Sequence, residues 1–486
     1  MKKLINLILS NKALVIIILI ATFLRMFKID FQSLWMDEIY TMNVSKSSLS
    51  FSEVISQVNS REGFPYLYFL TMNVFFTIFG DDSIVARLPS VIFGVASVFM
   101  IYKTGKILYN KNTGLIAAFL LATNEFSIYY SQEARPYAFY ILCLLICFYF
   151  FIKFIKDNNQ KNTIYYALSI GLLLNSNFFA LLNVFAQVLI LLLGLFFLKK
   201  DEIKQHFYKY MQIAIIALLM FAPNINKFFI LFSVPTVSWI PQPTPEGLKN
   251  IFIELISGSQ IVLFLTFPLF VFYLINIFKT KGINTRTAVI NNKEILSFIV
   301  ISFWIFGLVC IMEFVSYTRS SLYSSRYFSS LLPAILLIFA IAFNNIKNLF
   351  IRYSYLVGIT LFVLLNTIFV KKYYNTPLKS QFREASDMVK FYNPNKDVVY
   401  TSLKYWYDYF LNNHGQKFEV KDSPNLTVLV NEMKANPALL KSFWVVDGYQ
   451  DIVKLSTADQ QFLDTHFRLQ ETYDGLGAIA RHYIKK

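Results

Sequence analysis

The feature that most constrains this chain is a series of apolar runs, recurring from Lys12 to Val370, near the roughly 18 to 20 residues that carry a helix across a bilayer. A chain with many such runs satisfies its backbone polar groups in lipid by folding each run as a helix. With 51 Phe, 30 Tyr and only 15% charged residues, it exceeds what one soluble core absorbs. The formal charge of +16 does not point to nucleic acid, because Lys and Arg cluster in the short loops between runs. That is the pattern set by orientation in a membrane. Cys143, Cys147 and Cys310 all lie in apolar runs and have neither disulfide nor metal-ligand spacing. Residues 1–27 have basic flanks without a small-residue cleavage site and read as a retained span.

Lys2, Lys3 and Lys12 place the N-terminus in the cytoplasm, so the first span, about 12–29, delivers the following loop outside. If the next run, 64–80, also crossed, the loop with Lys103, Lys106 and Lys111 would lie outside, against the positive-inside tendency. The run starts at a proline and ends at Gly80-Asp81-Asp82, and reads as a juxtamembrane helix on the outer face. The remaining spans are then about 86–102, 113–128, 137–153, 163–176, 179–198, 210–223, 260–278, 295–315, 328–343 and 353–370. Only Asn175-Ser176-Asn177 divides the two within 163–198. Eleven spans from a cytoplasmic N-terminus leave the C-terminus outside.

The composition becomes soluble from about residue 375. The expected architecture is a polytopic α-helical membrane domain over 1–374 and a small extracytoplasmic α/β domain over 375–486. In the latter, 398–400, 427–430 and 443–446 read as strands, and 380–392, 403–412 and 456–465 as helices. No glycine-rich phosphate loop is present there, so the sequence assigns this domain no chemistry.

Three polar segments share the outer face under this topology. Asp37 and Glu38 follow Trp35 in FQSLWMDEIY; Glu133 and Arg135 lie in the outer segment 129–136, within SQEARPY; Arg326 precedes the tenth span. The long outer loop 224–259 carries Trp239 and Pro241, Pro243 and Pro245. Charges at the edges of spans are costly and tend to be functional. Each also has a plain structural reading. The acids suit a helix N-terminus, Arg87 and Arg326 suit interfacial anchors, and Glu133 suits a partner for Arg135.

The segments SLWMDEIYT, GFPYLYFL, FGDDSIVARLPSVIFG, YYSQEARPYAF and SSRYFSSLLPAILL together resemble the GT-C glycosyltransferases. The nearest branch contains bacterial relatives of protein O-mannosyltransferases and of lipid A aminoarabinose transferases. The resemblance covers about residues 1–370 and is densest over 30–140. It implies an active site on the outer face of a bacterial plasma membrane and a polyprenyl-phosphate-linked sugar as donor, and the juxtamembrane placement of 64–80 agrees with that fold. Asp37 matches the family's catalytic aspartate. One departure concerns the His-Pro-Pro that many relatives carry at the start of the juxtamembrane helix. Here it reads Gly63-Phe64-Pro65, with no histidine or acid later in that helix. The sequence thus leaves a divalent metal open but supplies little for it, Glu62 being the nearest candidate ligand. No other cofactor is implied.

The resemblance implies an inverting hexosyl- or pentosyltransferase. Transfer from a lipid phosphate needs a base for the acceptor hydroxyl and positive charge for the departing phosphate. Asp37 is the expected base and Glu38 its structural or acceptor-orienting partner. Arg135 and Arg326 are phosphate candidates because a guanidinium binds phosphate as a fork. Glu133 is expected to orient Arg135 or touch sugar hydroxyls. The expected partners are the lipid-linked donor, membrane lipids and an envelope glycan, lipid or protein acceptor, with no nucleic acid. Other readings are transfer of a different polyprenyl-linked group, a flippase for lipid-linked sugars, and a non-catalytic envelope scaffold. A flippase calls for charges or broken helices near mid-membrane, whereas the strong charges here sit at span ends.

Overall fold

The computed structural model describes residues 12–198, 200–233, 240–279, 286–412, 417–448 and 454–486. Lys2, Lys3 and Trp239 lie outside these. The chain forms two compact units. One takes the chain up to Phe27 together with Val44–Lys371; the other takes Lys28–Asn43 together with Lys372–Lys486.

Among its described residues, the regular elements of the first unit are all helices. Among the described residues, six stretches are long and apolar enough to cross a membrane: Ser83–Leu108, Tyr137–Lys156, Glu202–Leu231, Gln260–Phe278, Lys293–Thr318 and Leu349–Val370. Shorter helices accompany them: Lys12–Met26 before them, and Lys111–Thr123, Gln160–Leu174, Ala180–Leu195 and Leu332–Asn345 between them. The protein is thus an integral membrane protein, and helices occupy the expected spans except that 113–128 is broken at Asn124, which is extended between the helices Lys111–Thr123 and Glu125–Ser131. The polar tripeptide Asn175-Ser176-Asn177 does end one helix. Asn175 is its C-cap, and its side-chain amide donates to the Gly171 and Met220 carbonyls at 2.8 and 3.0 Å. The run 64–80 forms the 13-residue helix Leu67–Phe79, and a further helix, Phe51–Arg61, precedes it. The latter starts with a capping box in which Ser50 and Glu53 bond each other's backbone N–H groups.

Small residues let helices approach closely where there is no water to drive them together. At Gly114 an added Cβ would come within 2.4 Å of the Tyr102 carbonyl oxygen, and at Gly94 within 2.1 Å of Ser131 Oγ. The Gly94 site matters because it seats Arg25. That guanidinium, fully buried, donates to the carbonyls of Ala21, Leu121 and Ala122 and to the hydroxyls of Ser127 and Ser131. All five of its N–H groups are used, which ties the helix Lys12–Met26 to the helix Glu125–Ser131. Arg87, read from the sequence as an interfacial anchor, is instead fully buried within Ser83–Leu108.

The second unit contains a five-stranded sheet: β1 (Val398–Thr401), β2 (Val420–Asp422), β3 (Phe443–Asp447), β4 (Phe467–Gly475) and β5 (Ala478–Lys485), in the order β2-β1-β3-β5-β4. The first three pair in parallel, and β5 runs antiparallel to β3 and β4. Phe443 and Val445 face a core with Leu426, Leu429, Met433, Leu463 and Tyr483. Phe443 stacks on Tyr483 at 5.0 Å, and Trp444 stacks on His482 at 4.3 Å. Residues 427–430, expected as a strand, lie in the helix Leu426–Ala435. Asn425 caps that helix by accepting from Val428 N at 2.9 Å. Its buried residues, Leu426, Leu429, Val430 and Met433, recur at helical spacing. The helical period overrides the β-branched composition. The other expected elements of this unit are present, and β2, β4 and β5 are additional to them.

Candidate active site

In the first unit, the turn after the helix Glu125–Ser131 brings SQEARPY into a fixed shape. Gln132 donates from its amide to the carbonyls of Arg25 and Phe27, each at 2.9 Å. Arg135 N donates to the Glu133 carbonyl at 2.8 Å. Glu133, Ala134 and Arg135 are all buried.

Arg135 is gripped by Glu62. Nη1 donates to Oε1 at 2.7 Å and Nη2 to Oε2 at 2.9 Å, with both side chains almost fully covered. The guanidinium also lies over the Phe64 ring, 5.1 Å from its centroid. Lys227, buried, donates to the Val58 carbonyl at 2.8 Å, lies over the Tyr66 ring and feels the Glu62 carboxylate. The short stretch from Glu62 to Tyr66 therefore touches both Arg135 and Lys227. Sequence reasoning missed both Lys227 and the Glu62–Arg135 pair. The residues are far apart in the chain, and a lone Glu after a helix carries no pairing signal.

Aromatic rings extend from this cluster. Phe64 packs edge-on to Tyr137 at 5.8 Å, and Tyr137 to Tyr130 at 4.9 Å. Tyr130 connects the remaining site residues. The protein packed around it pushes its hydroxyl well above the ordinary tyrosine range. Glu133, Tyr137 and Glu254 push the same way, and the Arg326 guanidinium opposes them. Glu133 and Arg326, far apart in the chain, thus act on one hydroxyl. Arg326 itself lies over the Tyr327 ring at 5.6 Å, and Tyr327 packs against Phe179 at 4.9 Å. Three cations and an aromatic lining suit an anion attached to an apolar tail.

Asp37 and Glu38 lie in the second unit, in the first turn of the helix Met36–Val44. Acids there face the positive end of the helix dipole. Asp37 is half-buried and Glu38 fully buried. Glu38 Oε2 accepts from Lys379 Nζ at 3.0 Å, in an ion pair whose side chains are 0% and 3% exposed. Tyr40 packs against Tyr405 and Trp406 at 5.1 and 5.8 Å.

The donor set does not fit a metal. Both oxygens of Glu62, the nearest candidate, hold the Arg135 guanidinium. Among the described residues no three His, Cys, Asp or Glu side chains gather as ligands.

In fold, the chain is similar to solved membrane glycosyltransferases. ArnT from Cupriavidus metallidurans, solved bound to undecaprenyl phosphate, aligns over 97% of this chain and 98% of its own, with a TM-score of 0.60 and 10% identity. Its apo state aligns over the same shares, with a TM-score of 0.61 and 10% identity. The oligosaccharyltransferase of Archaeoglobus fulgidus, tethered to an acceptor peptide, aligns over 99% of this chain and 74% of its own, with a TM-score of 0.52 and 12% identity. The family described as dolichyl-phosphate-mannose-protein mannosyltransferase matches residues 64–226, which include SQEARPY and the helix preceding Lys227 but not Asp37. No curated protein sequence matches the chain.

Proposed function

We propose that this protein transfers a sugar from a polyprenyl-phosphate-linked donor to an envelope acceptor on the outer face of a bacterial plasma membrane. The observation that carries the reading is a set of cations among aromatic rings: Arg135, paired with Glu62, over Phe64, Lys227 over Tyr66 and Arg326 over Tyr327. A phosphate on an isoprenoid chain matches cations set among aromatic rings. The shared fold adds to this, since ArnT was solved with undecaprenyl phosphate.

In the proposed reaction the acceptor oxygen attacks the anomeric carbon, and the bond from that carbon to the phosphate oxygen breaks on the opposite face. Configuration inverts. Asp37 takes the acceptor proton, worth about 10²- to 10⁴-fold for a general base. Arg326 and Lys227 neutralise the departing lipid phosphate, and Arg135, its two terminal nitrogens on Glu62, holds the cluster in shape. Each such contact is worth roughly 2 to 4 kcal/mol when it strengthens in the transition state. Glu133 orients the cluster. The eleven-span topology belongs to the same proposal, with 64–80 outside and residues 375–486 extracytoplasmic, because it puts every proposed site residue on one face.

The test is turnover by purified full-length protein given a panel of undecaprenyl-phosphate sugars, with an envelope extract as acceptor source. Release of undecaprenyl phosphate from one donor, abolished by Asp37→Asn, is the expected result. Movement of intact donor across a proteoliposome membrane without cleavage would replace the reading with a flippase.

A further inference from the structure

We infer that Lys379 is a positioning residue for this reaction, acting through Glu38 on the helix that carries Asp37. The inference rests on the proposed role of Asp37 as base.

The segment after Lys372 is bound to residues 30–38 by backbone and side-chain contacts together. Gln32 reaches it with both ends of its amide. Oε1 accepts from Leu378 N at 2.8 Å, and Nε2 donates to the Thr376 carbonyl at 3.0 Å. Ser33 Oγ accepts from Arg383 N at 3.1 Å. The Arg383 guanidinium donates to the carbonyls of Asp30 and Phe31 at 2.9 and 3.0 Å and pairs with the Asp30 carboxylate at 3.4 Å. Between these anchors Lys379 reaches Glu38. The clasp thus grips the chain leading into the helix Met36–Val44 by the Asp30 and Phe31 carbonyls and the Gln32 and Ser33 side chains, and the helix itself by one buried carboxylate.

Asp37 and Glu38 are consecutive in one helical turn, so their side chains leave the axis about 100° apart. Fixing the Glu38 carboxylate fixes the rotation of the turn and therefore the direction in which Asp37 leaves it. Neither member of the ion pair can relax into water, because 0% and 3% of the side chains are exposed. A base misplaced by about 1 Å loses around a hundredfold in rate. The residue that sets this direction therefore lies 341 positions away, in a segment whose sequence carries no chemical motif.

Single replacement of Lys379 strands a buried carboxylate, so the informative variant is the double, Glu38→Gln with Lys379→Met. It removes both charges and keeps side-chain length. Full-length double variant, wild type and Asp37→Asn would be compared by initial rate with the undecaprenyl-phosphate sugar that the wild type turns over. Hydrogen exchange across residues 36–44 would be measured without donor. The expected result for the double variant is normal membrane level, a donor KM within about twofold of wild type, kcat down by about ten- to a hundredfold and faster exchange over 36–44. Wild-type kcat in the double variant, with Asp37→Asn inactive, overturns the inference and leaves Asp37 as base. Lost kcat with unchanged exchange also overturns it, because the effect would not run through the helix. Wild-type rates in Asp37→Asn itself remove the base and, with it, the role proposed for Lys379.

Discussion

Arg135 and Glu62 meet through two parallel hydrogen bonds, 2.7 and 2.9 Å long, across 73 positions of sequence and almost entirely out of contact with solvent. Breaking such a pair from one side leaves a buried charge and typically costs about 3 to 5 kcal/mol. Glu62→Gln and Arg135→Met should each lower the thermal stability of the purified protein markedly, and the double variant should lose much less than their sum. Melting curves in one detergent would measure this. Additive losses would mean that the two side chains are not coupled.

Asp37→Asn keeps the size of the side chain and removes its capacity to take a proton. With protein level and donor affinity unchanged, turnover should fall at least about a hundredfold. Glu38→Gln should be milder on turnover per folded molecule, although it leaves the buried Lys379 ammonium without its counter-charge and so lowers stability. A dead Glu38→Gln beside an active Asp37→Asn would move the base to Glu38.

Arg326→Ala should reduce turnover by roughly 30- to 1000-fold, equivalent to about 2 to 4 kcal/mol of transition-state stabilisation. Arg319, exposed after the helix Lys293–Thr318, is the comparison; Arg87 is too deeply buried to serve. Arg319→Ala should stay within about threefold of wild type, as exposed substitutions usually perturb little. Equal effects in initial-rate assays would remove Arg326 from the site.

Labelling of intact cells with an impermeant thiol reagent checks the topology. Asn112 and Asn395 are both exposed on the protein surface. A cysteine at Asn112 should stay unlabelled until the membrane is permeabilised, and one at Asn395 should label at once. Labelling at Asn112 in intact cells would reverse the orientation that Lys103, Lys106 and Lys111 imply.

Most of the helical architecture is legible in the sequence because apolar runs of bilayer length admit one solution in lipid. SQEARPY stands out for a related reason: charges beside spans are rare enough to notice. What escapes is long-range pairing. Nothing local to Lys379 or Lys227 announces a carboxylate or a carbonyl far away in the chain. The hairpin β4–β5 escapes for another reason. Most of β4 is exposed or half-exposed, so the apolar alternation that marks a strand is faint. Its turn is the better signal: Gly477 takes the positive φ of +54° that closes it. Residues 427–430 mislead because their β-favouring composition hides a helix that extends beyond them, from the Asn425 cap on one side to Met433 on the other.

The second compact unit is assembled from two separate lengths of chain, Lys28–Asn43 and Lys372–Lys486. Its boundary therefore cannot be cut once. A chain truncated near Lys371 would strand Gln32, Ser33 and Glu38 without the groups they bind. A chimera that exchanges only the C-terminal portion with a relative would join foreign clasp residues to a native Met36–Val44 helix. Any graft that preserves the clasp must carry both lengths, so Lys28–Asn43 and Lys372–Lys486 are expected to change together.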